Sequence, residues 1–266
     1  MLIKKVVRYL DRQFGKADKF KDEIQRLSKI PRYTPGASHL FGVEFSFVDA
    51  TTLIGGYAEI IRKQVYEFKS SRPDPLIIDC GANIGLSIYY FKMLYPQAKI
   101  KAFEPDPVIF KTLEKNIKTL EFMGVELHQE AIWKDNGTLE FQIEGGFSGR
   151  IPKEGDTENL IRVPCRRLKD LLKESIDFLK IDIEGAEFEV LTDIRGDLSC
   201  VQNIFIEYHS HIKERQTLGE ILEVLQQAGF RYHIQEAYAH KKPFVERDTM
   251  LGMDLQLNIF GYRDFI

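Results

Sequence analysis

The chain has 266 residues, a formal net charge of −3, and 44% hydrophobic against 29% charged residues. That balance fits an ordinary globular protein of one large domain, or one domain with an extension, and gives no global basic field for nucleic acid. No apolar run approaches the roughly 18 residues of a membrane span. The basic start lacks a signal-peptide core, and Cys80, Cys165 and Cys200 share no metal spacing, so a reducing, cytoplasmic setting is expected.

The charge is uneven. Residues 1–35 hold ten Lys/Arg against four Asp/Glu, which leaves −9 for the rest. Ile3, Val6, Leu10 and Phe14 keep helical spacing, as do Phe20, Ile24 and Leu27, so residues 1–30 read as one or two amphipathic helices. They suit a cap packed on the domain or on a second copy of the chain; docking on an anionic membrane surface is the alternative. Pro31, Pro35 and Gly36 end this pattern, Leu40–Val48 comes next as a strand or hairpin, and Tyr57–Phe68 as a short helix. Arg72–Pro75 marks a boundary, giving an extension over 1–72 and a main domain over 73–266.

The run Leu76–Gly85, LIIDCGANIG, is the most informative segment. An apolar run ending in Asp79 predicts a buried parallel strand. Gly81 and Gly85 then turn the chain into a helix with Leu86, Tyr89, Tyr90, Met93 and Leu94 inward. Glycines let backbone N–H groups approach a ligand at a helix N-terminus. Nineteen residues past Gly85, Glu104 ends the next strand, where nucleotide-binding βαβ units place the acid that grips a ribose. The dinucleotide fingerprint needs a G-x-G-x-x-G spacing, and its second glycine is absent, which weakens an NAD-dependent oxidoreductase. Asp79 beside the loop would repel a pyrophosphate and suits a cation such as the ammonium of a methionine moiety. D-x-G-x-x-x-G followed by the ribose acid is the pattern of S-adenosylmethionine (SAM) methyltransferases.

Further along, Asp106 can N-cap a helix with Pro107 in its first turn and Phe110, Leu113, Ile117 and Leu120 inward. Val125–Trp133 reads as the third strand, and Thr138–Ile143 with Leu160–Cys165 as an inserted hairpin around a glycine-rich loop, Gly145–Gly155. Asp177–Ile183 is the fourth strand and Val201–His209 the fifth, with a helix at Val190, Leu191 and Ile194 between them. Thr217 and Glu220 form a capping box before Gly229. Phe230–Gln235 and Leu255–Tyr262 complete the alternation, which implies a doubly wound α/β sheet.

Ligands of open α/β sheets bind outside the carboxyl ends of the strands. That rule selects Asp79, Glu104, Glu130, Asp182, Glu184, Glu207 and His209. The loop Glu236–Met253 starts on the same side and carries Tyr238, His240, Lys241, Lys242 and Arg247.

The stretch Leu76–Tyr262 resembles the FkbM family of SAM-dependent methyltransferases, on IDCGANIG (Ile78–Gly85), KAFEPDP (Lys101–Pro107), FLKIDIEGAE (Phe178–Glu187) and IEYH (Ile206–His209). The resemblance implies a class I, Rossmann-like fold with seven strands, the last antiparallel, and O-methylation of a sugar, glycan or secondary metabolite. It places Asp79, Gly81, Ala82, Asn83 and Gly85 at the methionine half of SAM, Glu104 with Pro105 at the ribose, and Glu130 and Ala131 beside the adenine. Asp182 ends the fourth strand, which by the resemblance runs up to the sulfonium, with Glu184 at the same strand end, and Glu207 and His209 end the fifth strand beside it.

His209 is the best single general base, since imidazole titrates near neutrality; a histidine bonded at a strand end is the plainer alternative. So many acids call for a counter-charge. A divalent cation, Mg²⁺ or Mn²⁺, bridging Asp182, Glu207 and His209 is one answer. Local structure is the other, with Glu184 near a helix N-terminus and Glu187 bonding backbone or Lys180. Gly145–Arg150 is either a lid over the acceptor or a long turn. Trp133 and Tyr57 offer stacking faces for a sugar or belong to the core. His211 is expected at the surface. A non-catalytic SAM-binding scaffold remains the competing function, and Asp182, Glu207 and His209 argue against it.

Overall fold

A computed structural model of the chain describes residues 17–143, 149–152, 158–250 and 252–263. The expectations for Ile3, Val6, Leu10 and Phe14, and for Gly145–Ser148 of the glycine-rich loop, lie outside those residues.

Seven strands form the main sheet: β3 (Leu76–Cys80), β4 (Lys99–Phe103), β5 (Val125–His128), β10 (Ile176–Ile181), β11 (Val201–His211), β12 (Arg231–Ala239) and β13 (Met253–Tyr262). Their spatial order is β12-β13-β11-β10-β3-β4-β5. The pairs β10–β11, β10–β3, β3–β4 and β4–β5 are parallel, whereas β13 runs antiparallel to both neighbours. β3 and β10 are buried along their whole length, as their unbroken apolar runs require of strands covered on both faces.

The expected third strand is two. β5 ends at His128, and the chain leaves the sheet at Gln129–Glu130 before β6 (Ala131–Trp133). β6 joins a second sheet with β7 (Gly137–Ile143), β8 (Gly149–Arg150) and β9 (Leu160–Arg167), in the order β6-β9-β7-β8. β7 and β9 pair as the expected hairpin.

Ahead of β3, α1 (Ala17–Leu27) leads to an antiparallel pair, β1 (Gly36–Ser38) and β2 (Phe45–Phe47). Asp49 caps α2 (Ala50–Gly56), accepting the Thr52 N–H, and the helix continues as a π-turn over Tyr57–Arg62. The helix thus starts seven residues before the expected Tyr57, because Asp49 supplies the N-terminal acceptor.

The helix after Gly85 is α3 (Leu86–Leu94), and Leu86 through Lys92 are all buried. Phe41 packs on Tyr89 with ring centroids 4.4 Å apart, and Tyr66 on Phe91 at 5.7 Å. Aromatic residues from 41–68 therefore cover the helix face that an amphipathic pattern would leave wet. α4 (Pro107–Thr119) starts as expected, with Asp106 accepting from the Val108 and Ile109 N–H groups.

α5 (Glu187–Ile194) and α6 (Leu218–Gln227) pack on the other face. The expected capping box on α6 is not made. Thr217 offers no side-chain bond, its N–H goes to the Tyr208 hydroxyl, and Glu220 pairs with Arg215. Among the described residues, no helix is long and apolar enough to cross a membrane.

Candidate active site

The loop Gly81–Gly85 is built from left-handed backbone, with φ of +88° at Gly81, +47° at Asn83 and +95° at Gly85. Gly81 and Ala82 donate to the Phe103 carbonyl, which ties the loop to β4. A Cβ on Gly81 would lie 1.9 Å from the Asp182 carbonyl oxygen, so the two chain segments touch backbone to backbone.

Glu104 lies just past β4 and is 5% exposed. One carboxyl oxygen accepts from the Asn83 N–H at 3.0 Å and the other from the Asp106 N–H at 2.9 Å. Burial pushes its pKa up to about 8 against the pull of those two donors. Each oxygen keeps a lone pair for a further donor. Past it, Glu130 receives both arms of Arg166, at 2.5 and 2.8 Å.

Lys180 is the hub beneath the loop. Its ammonium donates to the Gly81 carbonyl at 2.7 Å and lies 3.3 Å from Asp79 and 3.1 Å from Asp182. Burial opposes its charge, yet Asp182 and Asp79 hold it well above the usual lysine range.

Burial also raises Asp182, but Lys180 and a hydrogen bond from Glu207 bring it below the ordinary carboxylate range. Glu207 moves the other way, pushed well up by burial and by the Asp182 charge. The titrations of the pair are therefore driven apart, with Asp182 the more readily ionised member. Gln256 donates to the other side of Glu207 at 2.5 Å.

Burial disfavours a charged His209, but Glu184 and Glu187 outweigh it and raise the imidazole well above its usual value. Nδ1 faces Glu187 at 3.2 Å and Nε2 faces Glu184 at 3.5 Å. Glu187 also accepts from the Gly185 N–H, the backbone role expected of it.

Two lobes of one cleft meet over the loop. The narrower is walled by Asn83, Glu104, Pro105, Glu130, Ala131 and Phe141. The wider, about 270 Å³, is walled by Glu59, Tyr66, Lys180, Glu207, His209 and Gln256, among others. Gly81, Asn83, Asp182 and Glu184 belong to both.

These groups fit SAM. The narrow lobe offers Glu104 as a ribose acceptor, and the shared carboxylates Asp182 and Glu184 would stand beside the sulfonium where the two lobes meet. A metal fits less well. Ligand atoms of Asp182, Glu207 and His209 lie within 4.8 Å of one another. Both ring nitrogens of His209, however, already face carboxylates, Nδ1 toward Glu187 and Nε2 toward Glu184, which compete with a metal for them.

Of the expected cofactor residues, Gly81, Ala82, Asn83, Glu104, Pro105, Glu130 and Ala131 reach the cleft. Asp79 and Gly85 stand behind its wall. Asp79 is fully buried and accepts from Ser87 while pairing with Lys180, so its charge serves the loop rather than a ligand ammonium. Gly85 packs against Leu113.

His211 lines the wide lobe rather than the surface, whereas Tyr238, His240, Lys241, Lys242 and Arg247 do not reach it. Tyr57 is core, 1% exposed. Gly149 and Arg150, the described end of the expected lid, wall the narrow and the wide lobe respectively.

Sequence reasoning missed Lys180 as a hub and Glu59 and Tyr66 as cleft residues. The signal for Lys180 was a lone cation within the apolar run Phe178–Ile181.

Strand order, the antiparallel β13 and a cleft over a glycine loop with a ribose acid define a class I SAM-dependent methyltransferase. Residues 79–232 match the methyltransferase FkbM domain, more than half of the chain, and the chain belongs to that family. Methyltransferase sdnD of Sordaria araneosa is 34% identical over 204 residues, 63% of this chain and 79% of that protein. 2-O-methyltransferase NoeI of Sinorhizobium fredii is 33% identical over 181 residues, 57% and 74% of the two. Among solved structures, methyltransferase FkbM from Methylobacillus flagellatus is 16% identical, covers 91% of this chain and 59% of its own, and gives a TM-score of 0.46.

Proposed function

We propose that the chain transfers the methyl group of SAM to a hydroxyl oxygen of a sugar, glycan or secondary metabolite. The observation that carries this is the Asp182–Glu207 carboxyl pair, with Asp182 at the junction of the two lobes and Glu207 on the wall of the wide one. Two relatives carry names that specify oxygen as the site of transfer: NoeI, and the 31-O-demethyl-FK506 methyltransferase FkbM of Streptomyces tacrolimicus, 25% identical over 194 residues.

SAM supplies an electrophilic methyl on a sulfonium. The protein must align the hydroxyl with it and remove one proton as the C–O bond forms and the C–S bond breaks. Asp182 is the acceptor, because it is the more readily ionised member of its pair. His209 is paired through both ring nitrogens with Glu184 and Glu187, which hold its imidazole above the usual range, so we assign it to holding those two carboxylates in place rather than to the base. Glu207 steadies Asp182 through their hydrogen bond, and Lys180 fixes it from below.

The test uses a panel of glycosides and hydroxylated metabolites with methyl-labelled SAM. Label on an acceptor oxygen is expected; label on nitrogen or carbon alone would end the O-transfer assignment. At saturating SAM, Asp182→Asn is expected to slow transfer by about 10²–10⁴-fold, the usual worth of a general base. EDTA is expected to leave the rate intact. A loss that Mg²⁺ or Mn²⁺ restores would assign the proton-removing role to a metal.

A further inference from the structure

We infer that Glu184, with Asp182, reads the positive charge of the sulfonium, so that the cleft prefers SAM over its neutral product S-adenosylhomocysteine. The inference rests on SAM being the cofactor of this cleft.

Asp182 and Glu184 are the only side-chain carboxyls shared by both lobes among the described residues. A methyl that leaves one lobe for the other crosses between them. The charge is not spread evenly over the two lobes. Lys180, Arg150 and His209 line the wide lobe only, whereas the narrow lobe is lined by Glu104, Glu130, Asp182 and Glu184 and by no lysine, arginine or histidine among the described residues. The charged side chains shared by both lobes are the two carboxylates, Asp182 paired with Lys180 and Glu184 with His209 from the wide-lobe side.

Glu184 is also held in place with effort. Its φ is +57°, a left-handed conformation that a residue with a Cβ rarely adopts, and Gly185 comes next at +95°. Such strain persists where the surroundings over-determine a position and is common at ligand clamps. The turn after β10 thus projects a carboxylate, with its side chain one-third exposed, into the junction. Before transfer that carboxylate faces a cation; afterwards it faces a thioether with no charge to hold. The product is therefore retained more weakly.

The experiment is calorimetry on the full-length protein with SAM, with S-adenosylhomocysteine, and with an analogue bearing an ammonium at the sulfonium position. Wild type is expected to bind both cationic ligands more tightly than the neutral one. Glu184→Gln keeps the shape and removes the charge, and is expected to lower the SAM-to-product affinity ratio by about tenfold, mostly through SAM. A merely structural role would weaken all three ligands alike and would overturn the inference. A wild type that does not favour the cations would overturn it as well. Failure of all three ligands to bind a folded wild type would instead remove the cofactor assignment. Should Glu184→Gln not fold, Glu184→Asn read against Glu184→Asp separates charge from shape: the asparagine must lose the preference and the aspartate retain it.

Discussion

Glu104 shows how one buried carboxyl makes a site sensitive to pH. In the unliganded protein burial holds its pKa up to about 8, whereas an unburied glutamate titrates near 4.5. Between those values the unfolded chain releases the proton and the folded one keeps it, so the unliganded protein loses stability as pH rises from about 4.5 to 8. Two ribose hydroxyls need the ionised form as acceptor. SAM affinity is therefore expected to rise with pH up to about 8 and then level off, approaching tenfold per unit at the acid end. Glu104→Gln is expected to abolish that slope and weaken SAM by roughly 10- to 150-fold, about 1.5–3 kcal/mol for charge-assisted bonds. Calorimetry from pH 6 to 9 on both proteins checks it; a flat wild-type profile refutes the role. The position of Glu104 was legible in the sequence from its distance to Gly85. Its protonation was not, because burial comes from the residues around it, Phe103, Ala131 and Asp106 among them.

At the scale of elements, the glycine loop follows β3 and is tied to β4 and to the end of β10. Gly81 and Gly85 both have positive φ, yet their neighbours differ. A Cβ at Gly81 meets the Asp182 backbone at 1.9 Å, which only a shift of whole strands relieves. At Gly85 it meets the Leu113 Cδ1 at 2.8 Å, the movable tip of a side chain. Gly81→Ala is therefore expected to cost more than Gly85→Ala, with each bearing about 1–3 kcal/mol of backbone strain. Thermal unfolding orders the two, and SAM affinity is expected to fall further in Gly81→Ala; the reverse order would show that the Gly81–Asp182 contact yields easily. Strands and helices with one apolar period were readable in the sequence, and so was the Asp106 cap. The break at Gln129–Glu130 was not, since Val125–Trp133 reads as one strand-length segment and only the pairing of its second part with β9 divides it. The π-turn at Tyr57–Arg62 escaped for a similar reason. Its local pattern is helical, and the extra residue per turn is a matter of packing against α3. That turn puts Glu59 and Ile60 on the wall of the wide lobe.

For the molecule as a whole, the question is how far residues 1–72 stand apart from the rest. The composition suggested an extension because its charge and periodicity differ from those of residues 73–266. In the structure, Leu27, Phe41, Phe45, Phe47, Leu53, Tyr57 and Tyr66 belong to the same hydrophobic cluster as Ile77, Ile88, Phe91 and Leu113. Tyr66 packs on Phe205 at 4.8 Å, and Phe68 on Phe178 at 4.8 Å, so these aromatics rest directly on β10 and β11. Polar ties run the same way: Asn116 of α4 accepts from the Ser46 N–H and donates to its carbonyl, and Asn258 of β13 donates to Glu59. Thr52, Glu59, Ile60 and Tyr66 also wall the wide lobe. Removing one buried aromatic side chain costs about 3–5 kcal/mol, against a total stability of about 5–15 kcal/mol for a domain. Deletion of residues 1–69 removes at least seven large buried side chains together, and so is expected to leave a chain with no cooperative thermal transition and no SAM binding. Deletion of residues 1–20 leaves all seven of those side chains in place and is expected to keep both. Circular dichroism melts and calorimetry on the two truncations decide it. A shorter chain beginning at Ser70 that melts cooperatively and binds SAM would show that residues 1–69 are a separable cover rather than part of the core.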